Sequence, residues 1–66
     1  MTLEDVLSVT PDDEVVVQTY DTGNTIMRGY GTRIVKMLNE TALEAEVAQL
    51  EPRSEFLRIS IRGDWE

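Results

Sequence analysis

A run of β-branched residues followed at once by turn-forming residues constrains the fold of this chain more than any other feature. Residues 15–20 read Val-Val-Val-Gln-Thr-Tyr, a composition that favours a strand. The next four residues, Asp21 to Asn24, are typical of a turn, and Gly23 can adopt the positive φ that a tight turn needs. Residues 25–30 then return as a second strand, so the sequence predicts a β-hairpin.

The turn chemistry also predicts the register of this hairpin. A three-residue loop with Gly23 in the left-handed conformation closes on Tyr20 and Asn24. In that register, Val17 lies opposite Met27.

Short helices are predicted on both sides of the hairpin. Thr2 and Asp5 form a capping-box pair at the start of the first helix. Pro11 disfavours helical geometry at the residue before it, so this helix ends ahead of the proline. Thr32 is predicted to cap a second short helix, which Asn39 can end.

Residues 41–50 support two interpretations. Thr41 and Glu44 form a further capping-box pair, and the composition of the segment favours a helix. The last strand, residues 56–62, alternates between apolar and polar residues, and residues 45–51 can supply its antiparallel partner. We therefore expect a loop followed by a strand, and a helix is the alternative.

The match of apolar residues predicts the register of this second hairpin. With residues 52–54 as the turn, Val47 lies opposite Ile59, and Leu50 lies opposite Phe56. This register places Leu50 and Phe56 on the face of the sheet that Val47 does not share.

Together these elements predict an α+β fold, a small four-stranded, mostly antiparallel sheet in two hairpins with two short helices, in the order α-β-β-α-β-β. The alternative is a small SH3-like barrel, in which the sheet curls until its second face is enclosed. The chain has 66 residues, so we expect one domain over residues 1–66. A chain this short buries only about 60% of its unfolded surface, which makes self-association a natural supplement to its core.

The absence of cysteine and histidine excludes several function classes. The chain has no thiolate, no disulfide and no imidazole, so the usual nucleophile, general base and commonest metal ligand are missing. Asp21-Thr22-Gly23 spells the catalytic triplet of aspartic proteases, but a hairpin turn favours the same residues. We predict a protein that is not an enzyme and that holds no cofactor and no metal.

The charge distribution limits the partners. There are 13 acidic and 6 basic residues, a net charge of −7, and residues 1–14 and 39–51 contain no base. A duplex binder needs a basic face, so we predict no binding to duplex nucleic acid. No apolar run approaches the ~20 residues of a membrane helix, and no signal-peptide pattern is visible. We therefore expect a cytoplasmic protein with no membrane partner.

The order of segments extends over nearly the whole chain. It reads LEDVLSVTPDDEVVVQTYDTGNTIMRGYG, then a short helix, then EAEVAQLEP and FLRISI. This order resembles that of small uncharacterised bacterial proteins often carried by prophages and mobile elements. The resemblance implies a strand in the second half of residues 41–50, and it implies no known activity.

Apolar residues on both faces of the predicted sheet indicate an interaction surface, because two short helices can cover only one face. We predict a protein-interaction module, most simply a homodimer, whose candidate interface residues are Tyr20, Ile26, Leu50, Phe56 and Trp65. One alternative is an acidic mimic of nucleic acid that inhibits a DNA-binding protein. A second is a small nucleic-acid-binding barrel, with a basic and aromatic sheet face made of Arg28, Arg58, Arg62, Tyr20, Tyr30 and Phe56.

Overall fold

The two predicted hairpins and their flanking helices are present in the computed structural model, which describes residues 1–62. The α+β class is confirmed, and one helical turn, α3, is added to the predicted order. The elements are α1 (Leu3–Val9), β1 (Glu14–Thr19), β2 (Thr25–Tyr30), α2 (Gly31–Met37), α3 (Glu40–Leu43), β3 (Val47–Pro52) and β4 (Leu57–Ile61).

The four strands form an open sheet in the order β2-β1-β4-β3. Each hairpin is antiparallel, and the two hairpins meet through β1 and β4, which run parallel. The edge strands β2 and β3 are not paired with each other, so the barrel alternative is wrong. The main chain of residues 1–3 extends the sheet beyond β3, because Val47 donates to the Met1 carbonyl at 2.9 Å and Leu3 donates to the Ala45 carbonyl at 3.0 Å.

The register of the first hairpin agrees with the prediction at Val17, which is paired with Met27. The loop is one residue longer than predicted, because the Thr19 N–H donates to the Asn24 carbonyl at 2.9 Å. Gly23 has the expected positive φ of 72°. Because the loop is longer, the pairs between Val17 and the loop are shifted by one residue, and Gln18 is paired with Thr25. A β-bulge between Val17 and Gln18 accommodates this shift.

The register of the second hairpin differs from the prediction. Leu50 is paired with Ile59 and Val47 with Ile61, because β3 continues to Pro52 and four residues separate it from β4 where three were expected. The Arg53 N–H donates to the Phe56 carbonyl at 2.8 Å and closes this turn.

Charge explains why this register is favoured. The predicted pairing sets Glu51 opposite Glu55, and like charges at directly opposed positions destabilise a sheet. In the structure, Glu51 is instead paired with Arg58. The observed register therefore replaces a repulsion with an attraction.

The helix caps confirm one prediction and correct two. Thr2 and Asp5 form the predicted capping box, with the Asp5 N–H donating to Thr2 Oγ1 at 3.3 Å and the Thr2 N–H donating to the Asp5 carboxylate at 3.1 Å. Thr32 does not cap α2, because its hydroxyl donates to the Pro11 carbonyl at 2.9 Å. Asn39 does not end α2 but caps α3, accepting from the Ala42 N–H at 2.8 Å.

All three helices pack on one face of the sheet. Residues of α1 and α2 lie against alternate residues of the two central strands, and the apolar side chains with at most 1% exposure are Leu3, Leu7, Val15, Val17, Ile34, Ala42, Ile59 and Ile61. Within residues 1–62, this packing leaves the other face of the sheet without a covering layer.

Candidate functional site

The open face of the sheet is the side opposite the helices. Its members alternate along β1 and β4 with the buried core residues, and the hydrogen-bonded pairs extend the same face onto β2 and β3. The open face consists of Glu14, Val16, Gln18, Tyr20, Thr25, Arg28, Tyr30, Glu46, Gln49, Glu51, Phe56, Arg58, Ser60 and Arg62.

An aromatic ring between two guanidinium groups lies at one end of the open face. Val16 is paired with Arg28 on one side and with Arg58 on the other. Both side chains reach toward Phe56, with guanidinium carbons 5.5 Å and 5.9 Å from the ring centroid. These distances are within cation–π range, so Phe56 holds both arginines over the centre of the sheet.

The other end of the open face repeats this chemistry. The guanidinium carbon of Arg62 lies 5.3 Å from the centroid of the Tyr20 ring. Between the two ends, Gln18 Nε2 donates to Ser60 Oγ at 3.2 Å. The open face is therefore a strip with an arginine–aromatic cluster at each end and a polar pair between them.

Long side chains bury the middle of this strip although no second layer covers it. Val16 is 8% exposed and Ser60 is 2% exposed. The Nε atom of Arg58 is also buried, and it makes no hydrogen bond to the described residues. A buried donor without an acceptor destabilises the structure, so the position of Arg58 carries a cost.

The open face is charge-balanced within a strongly acidic chain. It carries three arginines, and three glutamates lie beside them, whereas the chain has a net charge of −7. Arg28 forms an ion pair with Glu14 at 2.9 Å. Glu51 is paired with Arg58 across the β3–β4 strands, and its carboxylate forms an ion pair with Arg53 at 2.8 Å. The excess negative charge therefore lies on other surfaces.

Part of the excess negative charge lies on the helical side of the molecule. Glu4 of α1 and Glu40 of α3, together with Glu44, line a small cleft of about 230 Å³. Residues of the two acidic sequence blocks are thereby brought together. Within residues 1–62, no group of three acidic residues is arranged to hold a metal ion.

The predicted interface residues are not all on one surface. Tyr20 and Phe56 lie on the open face. Ile26 instead packs against the core. Leu50 shares its face with buried Ile59, so it lies on the helix-covered side at the sheet edge, 39% exposed. Trp65 lies outside the described residues.

The sequence groups the three arginines of the open face with Tyr20 and Phe56 only in the nucleic-acid alternative, and the predicted protein interface does not include them. The structure brings the arginines and the two rings together. Tyr30, the remaining member of that set, is paired with Glu14 at the edge of the open face and also lines a groove beside α2. Alternation along β4, in which Arg58 and Arg62 lie two and six residues after Phe56, is the signal that finds the arginine cluster.

Asp21 and Thr22 are exposed in the first hairpin turn. The Thr22 hydroxyl hydrogen-bonds to that of Thr19, and the Gly23 N–H donates to the Thr19 carbonyl at 2.9 Å. The Asp-Thr-Gly triplet thus has the turn geometry that the sequence predicts for it.

Comparison with protein-family models, with curated proteins and with solved structures finds no match. The resemblance to prophage proteins therefore stays a prediction. No helix among residues 1–62 is long and apolar enough to cross a membrane.

Proposed function

We propose that this chain is a protein-interaction module that associates with a second copy of itself through the open face. One observation carries the proposal: among residues 1–62, the sheet face that the helices leave open bears Phe56 and Tyr20, each held beside arginine side chains. Aromatic residues and arginine are the types most enriched among the energetically dominant residues of protein interfaces.

Charge favours a second copy as the occupant. Two chains of net charge −7 repel each other, and the repulsion is smallest when they meet on a charge-balanced surface. Each end of the open face carries an arginine and a glutamate, Arg28 with Glu14 at one end and Arg62 near Glu46 at the other. A second copy can therefore present a carboxylate to the arginine at each end.

The same balance argues against nucleic acid as the ligand of this face. Binding to phosphates depends on the number of cations that neutralise them. On the open face, the glutamates beside the three arginines offset their positive charge, and Arg28 already forms an ion pair with Glu14. The aromatic rings alone provide stacking without the electrostatic attraction that normally accompanies it.

Substitution of Phe56 by glutamate tests the proposal. The change places a carboxylate at the interface twice, once from each copy, and removes the ring that holds Arg28 and Arg58. We expect light scattering to give a dimer mass for the wild type and a monomer mass for Phe56→Glu. Leu50→Glu is the matched control, because it makes the same change on the opposite face and should leave the dimer intact.

Phe56 is half-buried, so a second variant separates loss of association from loss of folding. Arg62→Glu changes an exposed residue of the same face and should weaken the dimer while the circular dichroism spectrum is retained. A wild type that is monomeric at high micromolar concentration contradicts the proposal. Retardation of single-stranded DNA at ~150 mM salt would assign the face to nucleic acid instead.

A further inference from the structure

A second exposed surface of mixed character lies beside α2, next to the edge of the open face. It is a groove of about 750 Å³ lined by Pro11, Tyr30, Met37, Arg33 and Lys36, with Asp12 and Thr32 also contributing. Tyr30 is 58% exposed and Met37 is 64% exposed, so two large apolar side chains face solvent here. Exposed apolar residues grouped in a concavity are typical of a binding site.

Cations line the same groove. Arg33, Lys36 and Met37 are spaced i, i+3 and i+4 along α2, so they project from one side of the helix. Neither Arg33 nor Lys36 forms an ion pair with the described residues. The chain contains only six bases, and two of them stand unpaired beside the exposed ring of Tyr30. The groove therefore suits an aromatic group flanked by carboxylates.

The chain itself contains a segment of this chemistry. Residues 63–66 read Gly-Asp-Trp-Glu, with the only tryptophan of the sequence between two acidic residues. We propose that the groove binds residues 63–66 of a second copy, with Trp65 against Tyr30 and Met37 and the two carboxylates toward Arg33 and Lys36. The groove would thus be a binding site for an acidic, tryptophan-containing peptide.

Distance along the sheet assigns the segment to a second copy. Arg62 lies beside Tyr20, whereas Tyr30 is paired with Glu14 at the opposite end of β1. Six residues of strand separate these two ends, about 20 Å. Trp65 follows Arg62 by three residues, whose Cα atoms span at most about 11 Å. At full extension, the Cα atom of Trp65 in the same chain therefore reaches only about half of the way to Tyr30, and a second copy can supply the segment without this stretch.

The groove meets the proposed dimer surface only at Tyr30, which is paired with Glu14 at the edge of the open face, and its other residues lie outside that face. Each proposal can therefore fail while the other holds.

The single tryptophan makes the contact directly measurable in the full chain. We expect the emission maximum of Trp65 to shift to shorter wavelength as protein concentration rises, because the indole leaves water when it enters the groove. Arg33→Glu should raise the midpoint concentration of this shift about tenfold, since one attraction becomes a repulsion. Arg53→Glu is the matched control: it makes the same charge change in the β3–β4 turn and should leave the midpoint unchanged.

A peptide experiment tests the same contact without dimerisation. Full-length Trp65→Ala contains no tryptophan, so the emission of an added peptide of residues 62–66 reports its binding alone. We expect saturable binding that is lost when Asp64 and Glu66 of the peptide are replaced by asparagine and glutamine. Binding by Phe56→Glu that matches the wild type would show that the groove acts independently of the open face.

Two results overturn the inference. Emission of Trp65 that does not change with concentration means that the segment does not bind in trans. A shift that Arg33→Glu leaves in place means that the segment binds elsewhere.

Discussion

The two faces of the sheet are built from the same strands, yet they are buried in different ways. On the helix-covered face, Val15 and Val17 are fully buried under α1 and α2. On the open face, Val16 is almost as buried, at 8% exposure, although no element lies over it. Its cover is made of side chains, chiefly those of Arg28 and Arg58 with the Phe56 ring.

The difference shows that low exposure does not by itself identify a core. A helix layer is fixed by its own hydrogen bonds and caps, whereas arginine stems cover apolar surface while their charged heads stay free to move to a partner. The side chains of the helix-covered face are buried permanently in the core. Those of the open face are ordered in the folded chain and can still contact a partner.

The largest expected effect comes from displacing the layer that makes the two faces unequal. Gly31, the first residue of α2, packs directly on the end of α1: an added Cβ would overlap the Thr10 carbonyl oxygen and lie 2.9 Å from its carbon. Because backbone cannot yield as a side chain does, Gly31→Ala should lower the free energy of unfolding by about 3 kcal/mol. Urea denaturation measures this.

Gly23→Ala is the control for the effect of glycine itself. Gly23 has a φ of 72°, but an added Cβ meets nothing within 4 Å. The expected cost is the backbone preference alone, about 1 kcal/mol. Equal costs at the two glycines would mean that α2 does not pack against Thr10 as described.

Val16 and Val17 are adjacent and lie on opposite faces, so the same substitution to alanine compares the stability that each face contributes. Val17→Ala leaves a cavity beneath the helices and should cost about 2 kcal/mol. Val16→Ala leaves a space that Arg28 and Arg58 can close by moving, so it should cost about 1 kcal/mol. Chemical denaturation of both variants gives the difference. A reversed order would show that the side chains of the open face are packed as rigidly as the core.

The smallest effect concerns the cap of the covering layer. Hydrogen bonds to the Asp5 carboxylate from the Thr2 backbone, and then from the Thr2 side chain, hold the pKa of Asp5 below its ordinary value of 3.8. A carboxyl group whose pKa is lowered by folding stabilises the fold above its ordinary pKa, and this contribution is lost as the pH falls through the folded value.

Asp5→Asn should therefore be less stable than the wild type at neutral pH, and the gap should narrow as the pH falls below about 4. Denaturation at a series of pH values follows the gap. If the gap is constant down to the lowest pH, the Asp5 carboxylate does not act through its charge.

Local signals explain the parts of the fold that could be predicted. The capping box of Thr2 and Asp5 spans four residues, and the predicted Val17–Met27 pair is retained because a bulge compensates for the longer loop. The register of the second hairpin was wrong because residues 51–56 allow two turns, and the choice depends on which residue faces Glu51. The choice between the two turns therefore depends on cross-strand pairs, which the composition of the segment does not reveal.

The candidate site was only partly predictable for the same reason. The alternation of side chains places Tyr20 and Phe56 on one face, as predicted. Tyr20 directly follows β1 and Phe56 directly precedes β4, so each continues the alternation of a regular strand. Ile26 was misplaced because the loop is one residue longer than expected and the resulting bulge changes the face that follows. The groove beside α2 had no sequence signal, since Pro11 and Met37 meet only when the helices pack.

The parallel pairing of β1 with β4 has a consequence for how the chain folds. It joins residues about forty positions apart, such as Gln18 and Ser60, so a long loop must close before these strands meet. The two central strands of the sheet, β1 and β4, belong to different hairpins, and the core residues are divided between them. Neither hairpin can therefore form the core alone. We therefore expect the hairpins to be transient on their own and the chain to fold in one cooperative step, limited by the encounter of its two halves.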